Sequence, residues 1–184
     1  ARELILTLSS YYRQALENDQ YMLSLHTELY HVASYLELEQ ARFEEKLVVE
    51  LDVEDDLNCK VPSFILQPLV ENAVRHGGDR TGARHVSISV HSVEGMAEIS
   101  VADRGQGIPR EVVLGLYTGQ GKGVGLSNVH KRLKSIYGED NGLKIETSEA
   151  GSRVWFRIPL EPEEIPVPSH EIKQEESYNE DSCD

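Results

Sequence analysis

The chain has 184 residues, 39% of them hydrophobic, and its 18 Lys and Arg against 32 Asp and Glu give a formal net charge of −14. That length holds one full domain plus an appendage, and the negative balance argues against non-specific binding to nucleic acid or to an anionic membrane surface. Cys59 and Cys183 stand far apart, the second in a polar tail, which excludes a disulfide framework or a CxxC metal site. No apolar run approaches the roughly 18 to 20 residues that cross a bilayer, and no secretory pattern opens the sequence, so a cytosolic setting is expected.

In chain order, residues 4–17 (LILTLSSYYRQALE) set Leu4, Leu8, Tyr11, Tyr12, Ala15 and Leu16 close to a 3.6-residue period. Residues 27–43 continue with Leu29, Val32, Ala33, Leu36 and Phe43 on one stripe. Two amphipathic helices are expected, and their stripes have two destinations: the chain's own domain, or a helical bundle completed by a second chain. We expect the second. Residues 47–53 (LVVELDV) alternate as a strand does, and Glu54, Asp55, Asp56 and Asn58 make a polar turn. In VPSFILQPLVENAVRHG, residues 61–77, Pro62 suits the first turn of a helix. Phe64, Ile65, Leu69, Ala73 and Val74 recur at helical spacing, so Gln67, Glu71, Asn72, Arg75 and His76 lie on or beside the remaining face. Arg75 and His76 follow Asn72 by three and four positions and share its face.

A glycine-containing loop spans 77–83, and residues 86–93 and 96–102 alternate with period two around Glu94-Gly95, a hairpin signal. Asp103 ends the second strand, where a carboxylate can face a cleft, and opens DRGQGIP. Residues 110–120, punctuated by Gly115 and Gly119, are expected to be flexible. They lead to a second cluster, GQGKGVGL. Gly105, Gly107, Gly121, Gly123 and Gly125 reach positive φ and let main-chain N–H groups approach phosphate oxygens. A helix over 124–137 would set a positive N-terminus at that cluster. A nucleotide is the natural guest. Lys122, between glycines, is either a further phosphate contact or a solvated loop lysine. Strands over 143–148 and 153–160, turning at Ala150-Gly151, complete a mixed sheet with helices on one face, a two-layer α/β sandwich. From Glu161 onward prolines alternate with acids, and residues 161–184 are expected to be a solvated, disordered tail.

In that order, LQPLVENAVRHG, DRGQGIP and GKGVGLSNVHKRL resemble the N box and two glycine boxes of the GHKL ATPase superfamily. YLELEQARF, residues 35–43, narrows the resemblance to LytS/YehU-type sensor histidine kinases. The resemblance implies a Bergerat-type ATP-binding fold preceded by N-terminal helices: residues 1–45 as part of a dimerisation region, 46–160 as the ATP-binding catalytic domain, 161–184 as the tail. It further implies ATP and Mg²⁺ as cofactors, a homodimer in the full-length protein, a response regulator as partner, no nucleic acid, and a membrane only through upstream segments. The family's phosphate-accepting histidine lies in a motif of the form NPHFLFN, which this sequence lacks, and neither His26 nor His31 has those neighbours. The expectation is therefore that Ala1 falls inside the dimerisation region of a sensor anchored in the inner or plasma membrane, and that this cytoplasmic fragment binds ATP without phosphorylating itself.

Residue by residue, the resemblance implies that Asn72 holds Mg²⁺ through its amide oxygen, as suits an ion that takes few protein ligands beside phosphate and water. Asp103 would accept from the adenine amine, with Gly105, Gly107 and Ile108 beside the base. Arg75, His76, Lys122, Gly121, Gly123, Val124, Gly125, Leu126 and Ser152 would complete the ATP site, and Asn72, Glu71 and Arg75 are the catalytic candidates. In the hydrolytic branch a glutamate one helical turn before the metal asparagine activates water, but here that position is Pro68. Glu71 points about 100° away from Asn72 around the helix and suits orienting Arg75 or solvent. The departure argues for phosphoryl transfer to an external histidine, and thence to a response-regulator aspartate, over hydrolysis. An ATP-sensing module without transfer, another GHKL ATPase and a serine kinase stay open as alternatives.

Overall fold

A computed structural model describes residues 22–55, 57–79, 81–119 and 124–160. The expected helix over 4–17, the tail 161–184, and Gly121, Lys122 and Gly123 lie outside the described residues, as does the side chain of Val124.

Strand β1, Met22–Ser24, pairs antiparallel with β3, Lys60–Pro62, as a separate two-stranded ribbon. Between them come helix α1, Leu25–Phe43, and β2, Leu47–Val53. Ser24 caps α1, its Oγ accepting from Thr27 N–H at 3.1 Å, which supplies one of the acceptors a helix start lacks. Of the two destinations open to the α1 stripe, Leu25, Val32 and Leu36 take the first and join the core of the chain's own domain. Phe43 at the helix end packs beneath Arg84, whose guanidinium lies 4.2 Å from the ring centroid.

Helix α2, Gln67–His76, starts later than periodicity predicts. Pro62 ends a strand and Phe64 and Ile65 lie in a turn, so the proline of the first helical turn is Pro68. Ile65 and Leu66 are buried by the turn itself and Phe64 partly so, which imitates a helical period. Arg84 closes the other end, donating Nε–H to Val74 O at 2.8 Å.

Strands β4, Arg84–Val93, and β5, Met96–Asp103, form the expected hairpin, with Glu94 and Gly95 both at positive φ (54° and 78°), the combination a two-residue hairpin turn demands. Helix α3, Arg110–Thr118, occupies the segment expected to be flexible, and α4, Val124–Tyr137, follows. β6, Lys144–Ser148, and β7, Gly151–Pro159, complete a sheet of order β2-β4-β5-β7-β6, in which β2–β4 is parallel and the other neighbours antiparallel.

Alternation along the strands separates two faces. Val86, Ile88 and Val90, Ala97, Ile99 and Val101, and Val154, Phe156 and Ile158 are buried with Leu69, Val70, Val74, Val129 and Leu133 of the helices. The opposite face carries Ser89 hydrogen-bonded to Ser100 and Glu98 between Arg153 and Arg157. The result is the expected two-layer sandwich, helices on one face. Among the described residues, no helix is long and apolar enough to cross a membrane.

Candidate functional site

At the ends of β5 and β7, a cavity of about 710 Å³ opens between α2, α3 and the start of α4. Its floor is apolar, from Leu69, Ala73, Val101 and Val154, and its polar groups are few and convergent, the usual composition of a small-molecule site. Asn72 and Asp103 both line it, brought together because α2 lies across β5 on the buried face.

Asp103 is held from several sides. Its Oδ1 accepts Gly105 N–H at 2.8 Å, and its backbone pairs with Ser152 across the β5–β7 ladder. Burial pushes its carboxyl above the ordinary range, against the opposing pull of N–H bonds from Gly105 and Ser152 and the charge of His76. Glycine lets the surrounding backbone close on it: a Cβ on Gly105 would stand 2.6 Å from Gly77 Cα, and one on Gly77 2.7 Å from Asp103 Cβ. No side chain fits there. Gly107, at φ 78°, is packed against Ser148, whose carbonyl oxygen would lie 2.2 Å from an added Cβ.

The expected residues sort cleanly by position. Asn72, Arg75, His76, Asp103, Gly107, Ile108, Gly125, Leu126 and Ser152 line the cavity; Gly105 supports it from behind, against His76 and Gly77. Arg75 and His76 are largely exposed at its rim. Glu71 is not among the lining residues; it accepts Gln67 Nε2–H at 2.9 Å along the helix. Gln106, Pro109 and Val112 also line the cavity, and Thr147 braces its wall by accepting Ile108 N–H through Oγ1 at 2.7 Å. These had no separate signal, except that Val112 stands four residues beyond Ile108, at helical spacing. Gly125 brings α4 close to α2: an added Cβ would sit 3.6 Å from Asn72 Nδ2 and 3.8 Å from Pro68 Cβ.

Among the described residues no three His, Cys, Asp or Glu side chains gather as a metal cage. A divalent ion here would have the neutral amide of Asn72 and oxygens brought by a ligand, a set that suits Mg²⁺, which keeps water and phosphate in its shell.

Residues 62–162 match the family model of histidine kinase-, DNA gyrase B- and HSP90-like ATPases. The chain belongs to this ATPase family. Its matched region contains all the cavity-lining side chains and the whole hairpin, and a nucleotide, ATP, is the ligand of that family. Residues 1–47 match a second model, of histidine kinases. The ATPase-family chain is 41% identical over 163 residues to the sensor histidine kinase YpdA of Escherichia coli and 40% identical over 168 residues to the sensor protein LytS of Bacillus cereus. Each alignment covers 86% of this chain, which spans about 28% of the length of those relatives. Among solved structures, the catalytic domain of histidine kinase ThkA superposes with a TM-score of 0.61 at 22% identity, covering 78% of this chain and 100% of that one. The same kinase in complex with the response regulator TrrA gives 0.60 at 19% identity, over 89% of this chain and 50% of that one. The fold is thus that of histidine kinase catalytic domains.

Proposed function

We propose that the cavity binds Mg-ATP and that the chain is the catalytic part of a sensor histidine kinase, with residues 46–160 as the ATP-binding domain and residues 1–45 as part of the dimerisation region. The observation that carries this is that Asn72 and Asp103 line one cavity, a neutral oxygen ligand and a half-buried carboxylate. Asp103 accepts a hydrogen bond from the exocyclic amine of adenine; guanine, with a carbonyl there, would face a second acceptor. Gly107 and Ile108 flank the base, with Gly105 behind them, and Arg75, His76 and the N-terminus of α4 at Gly125 and Leu126 meet the phosphates; Ser152, the ladder partner of Asp103, stands at the base end and not at the phosphates. Gly121, Lys122, Gly123 and Val124, of the second glycine cluster in the sequence, are proposed as further phosphate contacts. Asn72 would hold Mg²⁺ through its amide oxygen, and the ion would supply charge neutralisation for the phosphates.

Phosphoryl transfer needs positioning more than covalent help from the protein. A histidine nitrogen from the dimerisation helices attacks the γ-phosphorus, the bond to the bridging oxygen breaks, and ADP departs with that electron pair. Asn72 and Arg75 orient the triphosphate, while Glu71, paired with Gln67, steadies the helix face outside the cavity. With Pro68 one turn before Asn72, α2 offers no carboxylate to activate water, which favours transfer over hydrolysis. The names of the relatives, a sensor histidine kinase and a sensor protein, support the sensor-kinase reading; a homodimer acting from the cytoplasmic side of a membrane and serving a response regulator completes the proposal.

Calorimetric titration with a non-hydrolysable ATP analogue, with and without Mg²⁺ and against GTP, tests the proposal. Saturable, Mg²⁺-enhanced, adenine-selective binding is the expected result; no binding to a folded chain would overturn it.

A further inference from the structure

The turn that feeds α2 is held by side chains that play no part in the nucleotide site. Phe64 has φ 57°, a left-handed conformation that bulky residues seldom adopt. It turns neighbouring main-chain N–H groups to one side, the nest geometry that suits an anion. Here the anion is internal. Glu28 of α1, 1% exposed, accepts Phe64 N–H through Oε2 and Leu66 N–H through Oε1, each at 3.0 Å. Leu66 is the N-cap residue of α2 and supplies no side-chain cap, so a carboxylate from another helix provides the acceptor and the negative charge that a helix start favours. His31, less than one turn along α1, stacks on the Phe64 ring at 6.1 Å and 13°. From α4, Arg132 Nη1 donates to Ser63 O at 2.6 Å. The turn 63–66 is therefore tied to α1 and α4 together, and Asn72 lies less than two helical turns beyond it.

We infer that Glu28 is a positioning residue for the nucleotide site: docking of α1 through this carboxylate sets the start of α2, and with it Asn72, so a shift of α1 changes nucleotide affinity. The inference rests on the nucleotide reading given above. A buried carboxylate is costly to desolvate, and apolar packing would join two helices with no such cost. What the carboxylate adds is direction, because its two oxygens accept from two specified N–H groups. Coupling of this kind is reciprocal: if docked α1 favours nucleotide, bound nucleotide must favour docked α1.

Hydrogen exchange on this chain, with and without a non-hydrolysable ATP analogue and Mg²⁺, reads the coupling directly. Saturating analogue is expected to slow exchange at Phe64, Leu66 and the amides of α1 together with those of α2; unchanged exchange at Phe64 and Leu66 would overturn the inference. Glu28→Gln keeps the shape but turns an amide N–H₂ toward one of the two N–H donors. It is expected to weaken analogue binding about tenfold, the scale of one lost charged hydrogen bond. Ile158→Ala, in β7 and remote from the turn, supplies a variant of comparable thermal destabilisation that should keep the parent affinity. Equal affinity losses in both variants would reduce Glu28 to a contributor to global stability. Should the parent chain bind no analogue, the nucleotide reading fails, and exchange alone decides the positioning role. Faster exchange confined to α1, the turn and α2 in Glu28→Gln sustains it, and the same uniform rise in both variants overturns it.

Discussion

Asp103 is the residue on which chemistry and packing converge. Glycines 77, 105 and 151 all close on it, and a Cβ on Gly151 would come 2.0 Å from its carbonyl oxygen. Because burial raises its pKa above 3.8, the carboxylate proposed to accept from adenine is lost on acidification earlier than for an exposed aspartate. Affinity for an ATP analogue is expected to fall as pH drops from neutrality toward that raised value, before 3.8 is reached, in calorimetric titrations across pH. Asp103→Asn, which cannot titrate, should bind weakly at every pH with no such slope. Asn72→Ala should likewise abolish Mg²⁺-enhanced binding while leaving the thermal unfolding midpoint nearly unchanged, since Asn72 lines the cavity and is only partly buried. A Gly105→Ala variant is expected to lose binding and stability together, because the new methyl meets the backbone of Gly77 and His76. That Asn72 and Asp103 line one cavity was legible through the order of the motifs LQPLVENAVRHG and DRGQGIP that carry the resemblance, since an isolated Asn or an aspartate before glycines would not have marked a site. Thr147 was not, since it reaches the site only through the pairing of β6 with β7.

At the scale of elements, α3 departs most from expectation. Gly115 inside it costs about 1 kcal/mol of helix propensity, which hides the helical spacing of Val112, Val113 and Leu116 when local signals alone are weighed. Tertiary contact restores the helix: Leu116 is buried, and the edge of Tyr117 meets the His130 ring of α4 at 5.6 Å. His130 is 8% exposed, and Gly142 abuts its ring so closely that an added Cβ would lie 2.5 Å away. Burial, with help from Lys134 and Lys144, holds the His130 pKa below 6.5. With the folded value below the unfolded one, the stability this group contributes is complete above pH 6.5 and lost as pH falls through the folded value. Exchange of the α3 amides is therefore expected to accelerate below pH 6.5, and His130→Gln should flatten that dependence. The same distinction explains α2. Its periodicity was legible but its start was not, because the 63–66 turn buries apolar residues with help from Glu28, thirty-six positions upstream of Phe64.

Over the whole molecule, the two faces of the sheet separate binding from charge. Period-two alternation made the hairpin and the closing strands legible, and it also sorts residues by face, so the layer arrangement followed from the same signal. Strand order did not, because β7 sits between β5 and β6 by long-range pairing. On the face away from the cavity, burial pushes the Glu98 carboxyl up, but bonds from Arg157 and Arg153 outweigh it and hold its pKa below 4.5. The stability linked to Glu98 is thus present above pH 4.5 and lost as pH falls through the lowered folded value. Acid unfolding followed by circular dichroism should show a shallower loss in that window for Glu98→Gln, with nucleotide affinity at neutral pH unchanged.

Arg153 and Arg157 also flank Trp155, each guanidinium 5.4 Å from the ring centroid. Trp155 is the chain's single tryptophan and projects away from the cavity that its neighbour Val154 lines. The protein therefore carries an intrinsic optical probe whose emission follows the integrity of the sheet and is insulated from whatever fills the site. Tryptophan fluorescence should stay constant through a saturating nucleotide titration and change on denaturation. A variant that has lost its ligand is then distinguished from one that has lost its fold in a single cuvette, without a label.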